Sequence, residues 1–142
     1  MIRKAKQTEL SSVMQIWLDG NIEGHPFIPA EYWQKNAENA RQLMMTSDIY
    51  VYETEDDHRL VGFVGLIGNF IEGLFVHTNY RKSGVGRELI DYVKSFKTYL
   101  VLTVYKKNSL AQDFYQQEGF KTVSEQIDNN TDEVEYKMIW EK

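Results

Sequence analysis

Apolar residues in the first third of the chain recur every three or four positions. Leu10, Val13, Met14, Trp17 and Leu18 share one helical face behind Thr8, which reads as an N-cap with Glu9 in the first turn. Asp19-Gly20 is expected to end that helix, Gly24 to Pro29 to form an ordered loop, and residues 30–45 to form a second helix. Residues 2–6 suit a short strand ahead of both. From Asp48 the period drops to two, and 48–54, 60–67 and 70–76 read as strands joined by turns at 55–59 and at Gly68-Asn69. The helical period returns over 84–96, where Val85, Leu89, Val93 and Phe96 lie on one side. It appears again over 108–118, which Gly119 stops. A short apolar strand at 100–104 separates these helices. Strands near 120–126 and 133–139, joined by a polar turn, close the chain.

The order β-α-α-β-β-β-α-β-α-β-β predicts an α/β (α+β) fold. Consecutive hairpins imply antiparallel pairing, whereas the strand-helix-strand run from 70 to 104 implies a parallel crossover. A mixed sheet with helices on both faces follows, and a length of 142 residues fits a single domain spanning 1–142.

Composition narrows the chemistry. The chain contains no cysteine, which excludes disulfides, thiolate zinc sites and a cysteine nucleophile and suits a cytoplasmic setting. A net charge of −5 argues against nucleic acid as a partner and suits a cationic substrate. No apolar run reaches the roughly 18 residues of a membrane span, so no membrane partner is expected. The histidines lack metal-ligand spacing, and no metal is expected.

The sharpest local feature is Arg81-Lys82-Ser83-Gly84-Val85-Gly86-Arg87, set between a strand and a helix. Two glycines let the backbone approach a bulky anion, and a new helix offers unpaired N–H groups and the positive end of its dipole. A Walker loop is absent. A dinucleotide fingerprint fails because Leu89 takes its third glycine position and seven residues separate the strand from the loop. The pattern left is R-x-x-G-x-G.

That pattern resembles the pyrophosphate loop of the GCN5-related N-acetyltransferases. Ile71-Glu72-Gly73-Leu74-Phe75-Val76-His77 is similar to that family's fourth strand. Asn108, Ala111, Phe114-Tyr115 and Gly119-Phe120 resemble its second signature, N-x-x-A-x-x-F-Y-x-x-x-G-F. The N-terminal runs Ile16-Trp17-Leu18, Gly24-His25-Pro26-Phe27-Ile28 and Tyr32-Trp33 look like a small bacterial branch associated with protein-lysine acetylation.

The resemblance implies acetyl transfer from acetyl-CoA to a primary amine by direct attack in a ternary complex. It also implies roles. Leu74, Phe75 and Val76 would pair with the pantetheine arm. Residues 81–87 would hold the pyrophosphate, mostly through backbone N–H groups with Arg81, Lys82 and Arg87 adding charge. Asn108 would bond the pantetheine, and Tyr115 would face the thioester sulfur as hydrogen-bond donor or acid. Only about one lysine in 2,500 is neutral at pH 7, equivalent to roughly 4.6 kcal/mol, so a base should assist. Glu72 is the first candidate, with His25 or water as alternatives. His25, Phe27 and Phe70 are expected to line the acceptor side. The acceptor itself stays open between a protein lysine and a small amine such as a polyamine, amino acid or antibiotic. A non-catalytic acetyl-CoA sensor is the remaining alternative, and the oligomeric state is monomer or homodimer.

Overall fold

The computed structural model describes residues 1–142 and places the elements in the predicted order. Strand β1 (Ile2–Lys4) precedes helices α1 (Leu10–Gly24) and α2 (Ala30–Met44). Strands β2 (Asp48–Glu53), β3 (Leu60–Ile67) and β4 (Phe70–Val76) form a meander. Helix α3 (Val85–Lys94), strand β5 (Tyr99–Tyr105), helix α4 (Ser109–Gln117) and the hairpin β6 (Lys121–Asp128) and β7 (Glu133–Glu141) complete the chain. The strands make one sheet in the order β1-β2-β3-β4-β5-β7-β6, with every neighbour antiparallel except β4 and β5.

Alternation along the strands feeds two cores. On one face α1 and α2 cover Ile49, Val51 and Phe63, burying Val13, Ile16, Trp17 and Trp33 against them. On the other, α3 and α4 cover Val61, Leu66, Leu100 and Leu102 through Val85, Leu89, Ile90, Val93 and Tyr115. No helix is long and apolar enough to cross a membrane.

Three local expectations change. Thr8 is not a cap: residues 7–9 form a 3₁₀ turn, and the Glu9 carboxylate accepts from the Lys6 amide at 2.8 Å. Phe96 lies just beyond α3, where it packs on Tyr50 and Tyr92 and is 47% exposed. Most telling, α1 runs through Asp19-Gly20 to Gly24. Gly20 serves packing instead of termination, since a Cβ there would stand 2.4 Å from Cδ1 of Phe75 on β4. The glycine lets helix and sheet approach closely, at a modest cost in helix propensity.

The two halves of the sheet meet at one parallel pair, Phe70↔Val101, supported by the Val101 amide donating to the Asn69 carbonyl at 2.9 Å. Beyond that pair β4 and β5 diverge. The divergence coincides with a bulge: Gly65 faces Gly73 and Leu66 faces Ile71, so Glu72 is the extra residue on β4.

Candidate active site

The strand register decides which groups face the gap between β4 and β5. The His77 amide donates to the Val61 carbonyl at 2.7 Å, which fixes the parity of the antiparallel β3–β4 ladder. Phe75 then bonds to β3, while the backbone N–H and C=O of Leu74 and Val76 point into the gap. Of the three residues expected to pair with an extended ligand, Phe75 offers none of its backbone; its ring packs on Gly20 and Phe63. The open edge fits an extended amide-bearing arm laid along β4.

A cavity of about 300 Å³ fills the gap, and Glu72, Gly73, Leu74, Tyr115, Asn108 and His25 all line it. The chain therefore brings these sequence-predicted residues together. Glu72, re-aimed by the bulge, is half-buried, and the hydroxyl of Ser47, just before β2, lies 2.9 Å from its carboxylate and 2.8 Å from the Leu43 carbonyl, sharing one proton between them. Burial pushes the Glu72 pKa up, against the smaller opposing effect of Ser47. Tyr115 on α4 is buried, packed edge-on to Phe114 and Phe120 at 5.2 and 5.4 Å, and its hydroxyl has no hydrogen-bond partner in the protein. Burial pushes this phenol well above its ordinary value, so it keeps its proton.

Asn108 is the cap residue of α4, one position before the helix: its Oδ1 accepts from the Ala111 amide at 3.2 Å. Its Nδ2 lies 3.3 Å from Nε2 of His25. His25, itself buried, approaches the Asn21 carbonyl with Nδ1 at 3.0 Å, and burial lowers its pKa. Phe27 stands behind His25, edge-on to it and to Tyr105, with Lys107 over its ring, and it does not line the cavity. Phe70 also falls outside, because it sits at the closed end of the gap with its side chain 37% exposed.

The glycine loop opens α3. Lys82 and Gly84 take left-handed backbone angles, φ 65° and 91°. The amides of Lys82, Ser83 and Gly84 carry no backbone partner, and those of Val85, Gly86 and Arg87 are the open donors of a first helical turn. Gly86 matters for packing: a Cβ there would meet the Phe114 ring at 3.4 Å. Such a row of exposed N–H groups at a helix start fits a pyrophosphate. The side chains divide differently. Arg81 turns away from the loop, its Nε donating to the Val76 carbonyl at 3.1 Å and its Nη2 lying 3.0 Å from Glu23 of α1. Ser83 bonds the Tyr80 carbonyl and Arg87 reaches toward Glu118 at 4.0 Å, which leaves Lys82 as the cation free of any partner.

The far side of the cavity carries groups the motifs do not reach. Asp128 and Glu135 line it, the first accepting from the Tyr105 hydroxyl at 2.6 Å and the second from the Gln126 amide at 2.7 Å. Together with Glu72 they give three carboxylates, while neither Lys nor Arg lines the cavity. Trp17, Asn21 and Trp33 complete this wall. Tyr105 opens the run Tyr105-Lys106-Lys107-Asn108 that leads into the second signature, whereas Ser47 carries no signal in the sequence.

Comparison with known proteins adds four findings. A model of the acetyltransferase (GNAT) domain family matches residues 22–139. The peptidyl-lysine N-acetyltransferase YiaC of Escherichia coli is 34% identical over 141 residues, covering 99% of this chain and 96% of its own length. The solution structure of apo-form YjaB from Escherichia coli has a TM-score of 0.85 at 27% identity, covering 99% of this chain and 96% of that one. A PaiA N-acetyltransferase from Thermoplasma acidophilum, solved in complex with coenzyme A, shares the fold at a TM-score of 0.81 and 18% identity, covering 100% of this chain and 98% of that one.

Proposed function

Because the chain belongs to the acetyltransferase (GNAT) domain family and is an acetyl-CoA-dependent N-acetyltransferase, we propose that its acceptor is a protein lysine lying in a basic stretch of sequence. The observation that carries this reading is the cavity wall of Glu72, Asp128 and Glu135 without a compensating cation. Rim carboxylates of the same hairpin do find partners, Glu133 with Lys107 at 3.1 Å and Glu125 with Lys106 at 3.9 Å. One substrate ammonium answers one carboxylate. Two more remain, and a neighbouring Lys or Arg of the acceptor supplies the further charge. The lysine specificity named for YiaC supports the same choice.

The donor supplies an acetyl group activated as a thioester. The chain's own residues bind, orient and move protons. The gap-facing N–H and C=O of Leu74 and the N–H of Val76 align the extended arm, the Val76 carbonyl being engaged by Arg81, and the open amides of residues 82–87 take the phosphates. Aligning two bound reactants can by itself lower the barrier by about 7–11 kcal/mol. Glu72 takes the ammonium proton of the incoming lysine, directly or through water. Its raised pKa suits that task, because a base works best with a pKa near the operating pH. As the lysine nitrogen bonds to the carbonyl carbon and the C–S bond breaks, Tyr115 donates a hydrogen bond to the forming thiolate, which takes up the nitrogen's second proton and leaves as the thiol. The buried phenol holds its proton more tightly than a free phenol, and a thiol's pKa is only about 8.5, so donation without full transfer is its role. The cytoplasm is the compartment proposed for a cysteine-free enzyme of this kind.

Peptides that differ only beside one lysine test the acceptor. Charges 10 Å apart at an effective dielectric of about 20 interact by roughly 1.7 kcal/mol, so Arg against Glu as flanking residue should change kcat/KM by tenfold or more. Asp128→Asn with Glu135→Gln should flatten that preference. Efficient turnover of a polyamine beside inert peptides refutes a protein lysine as the acceptor.

A further inference from the structure

We propose that His25 is a positioning residue of the donor side, fixing the Asn108 carboxamide and leaving its free N–H toward the cavity. The inference rests on the acetyl-CoA reading of the gap and is independent of the acceptor's identity. The sequence suggested other roles for His25, as an acceptor contact or an alternative base.

The contacts allow one proton arrangement. The Asn21 carbonyl is an acceptor only, so Nδ1 of His25, 3.0 Å away, carries the hydrogen. The Ala111 amide is a donor only, which assigns the Asn108 atom 3.2 Å from it as Oδ1 and the other as Nδ2. Nε2 of His25 then accepts from Nδ2 at 3.3 Å. The chain of bonds runs from Ala111 through Asn108 and His25 to Asn21 with every donor meeting an acceptor, and it works only for a neutral imidazole. Its Nε2 lone pair is already engaged, so His25 has no free site from which to take a substrate proton.

Packing fixes the ring as firmly as the bonds do. Trp33 stacks on it at 5.2 Å, while Tyr105 and Phe27 meet it edge-on at 5.2 and 5.7 Å. Asn21, buried at 4% exposure, is anchored in turn by its side-chain amide donating to the Trp17 carbonyl at 2.9 Å. Gln112 holds the loop before α4 from the other side, bonding the carbonyls of Tyr105, Lys106 and Asn108. One Nδ2 hydrogen of Asn108 is used on His25. The second has no partner in the protein, and Asn108 lines the cavity beside Tyr115. Without His25, the carboxamide keeps its cap but loses the bond that sets this second hydrogen.

The nitrogen chemical shifts of His25 in the unaltered chain give the first test: a neutral ring protonated at Nδ1 is expected, and protonation at Nε2 overturns the proposal. Calorimetric titration with acetyl-CoA, which needs no acceptor, gives the second. His25→Phe should weaken binding about fivefold, the worth of one neutral hydrogen bond. His25→Gln, whose Oε1 can accept in place of Nε2, should stay within twofold of the parent. Asn108→Ala should weaken binding at least as much as His25→Phe, and the double variant no further than Asn108→Ala alone. Additive losses, or a His25→Gln as weak as His25→Phe, overturn the proposal. If the unaltered chain fails to bind acetyl-CoA, the donor reading itself falls. Asn108→Asp keeps the helix cap but removes the donor, and should weaken binding by a similar factor even if His25→Phe does not fold.

Discussion

Tyr115→Phe removes one oxygen that takes no part in holding the fold together. The hydroxyl has no hydrogen-bond partner, so its loss leaves no buried group unpaired, and the ring keeps its contacts with Phe114 and Phe120. The melting temperature should stay level or rise slightly. Acetyl-CoA affinity should hold too, because a neutral thioester sulfur is a weak acceptor and the bond strengthens only as charge develops there. A hydrogen bond to a charged atom is worth about 1.5–3 kcal/mol, a factor of roughly 10 to 160 in rate. Turnover at saturating donor and acceptor, followed as free thiol released, should fall about 10²-fold with both KM values little changed. The variant's melting curve and its calorimetric affinity for acetyl-CoA complete the assay. Unchanged turnover removes Tyr115 from the chemistry. A melting temperature lowered by several degrees shows that the hydroxyl has an internal partner and is not free for the sulfur.

Two other substitutions probe the remaining parts of the site. Burial raises the Glu72 pKa, so the acidic limb of the kcat/KM profile should sit above an ordinary carboxylate's, and Glu72→Gln should remove that limb and lower the rate. A carboxylate with a raised folded pKa favours the fold below its unfolded value and loses that contribution as pH rises through the folded one. Glu72→Gln should therefore melt no lower than the parent at pH 7, and a clear drop there counts against burial as the cause. Gly84 has φ 91° at the start of α3, where an L side chain is strained, and a Cβ would point into the open space above the loop amides. Gly84→Val should abolish measurable acetyl-CoA binding while the chain stays folded; retained affinity would defeat the loop assignment.

The element order was legible because periods of two and near 3.6 alternate cleanly along the chain, and the turns carry Gly, Asn and Asp where the chain reverses. The reading failed where a distant contact decides. Asp19-Gly20 has the local form of a helix stop, yet Phe75, 55 positions beyond Gly20, explains the glycine. In the site, Glu72, Asn108 and Tyr115 were identified by motif, and Gly73 hinted at the bulge that places Glu72. The Ser47 bond to Glu72 and the Glu23 pair with Arg81 join separate elements, and no spacing in the sequence reports them. Phe75 illustrates a subtler limit. Which of three consecutive strand residues turns its backbone to the gap depends on ladder parity, and that is fixed only by the pairing with β3.

The single rung between β4 and β5 also bears on mechanics. Four strands on one side and three on the other are hinged at Phe70 and Val101, like two boards sharing one nail. A ligand laid along Leu74 and Val76 while touching the α4 end of β5 braces the open corner. Binding there would stabilise the folded sheet by mass action, at the corner where its two halves share the least backbone pairing.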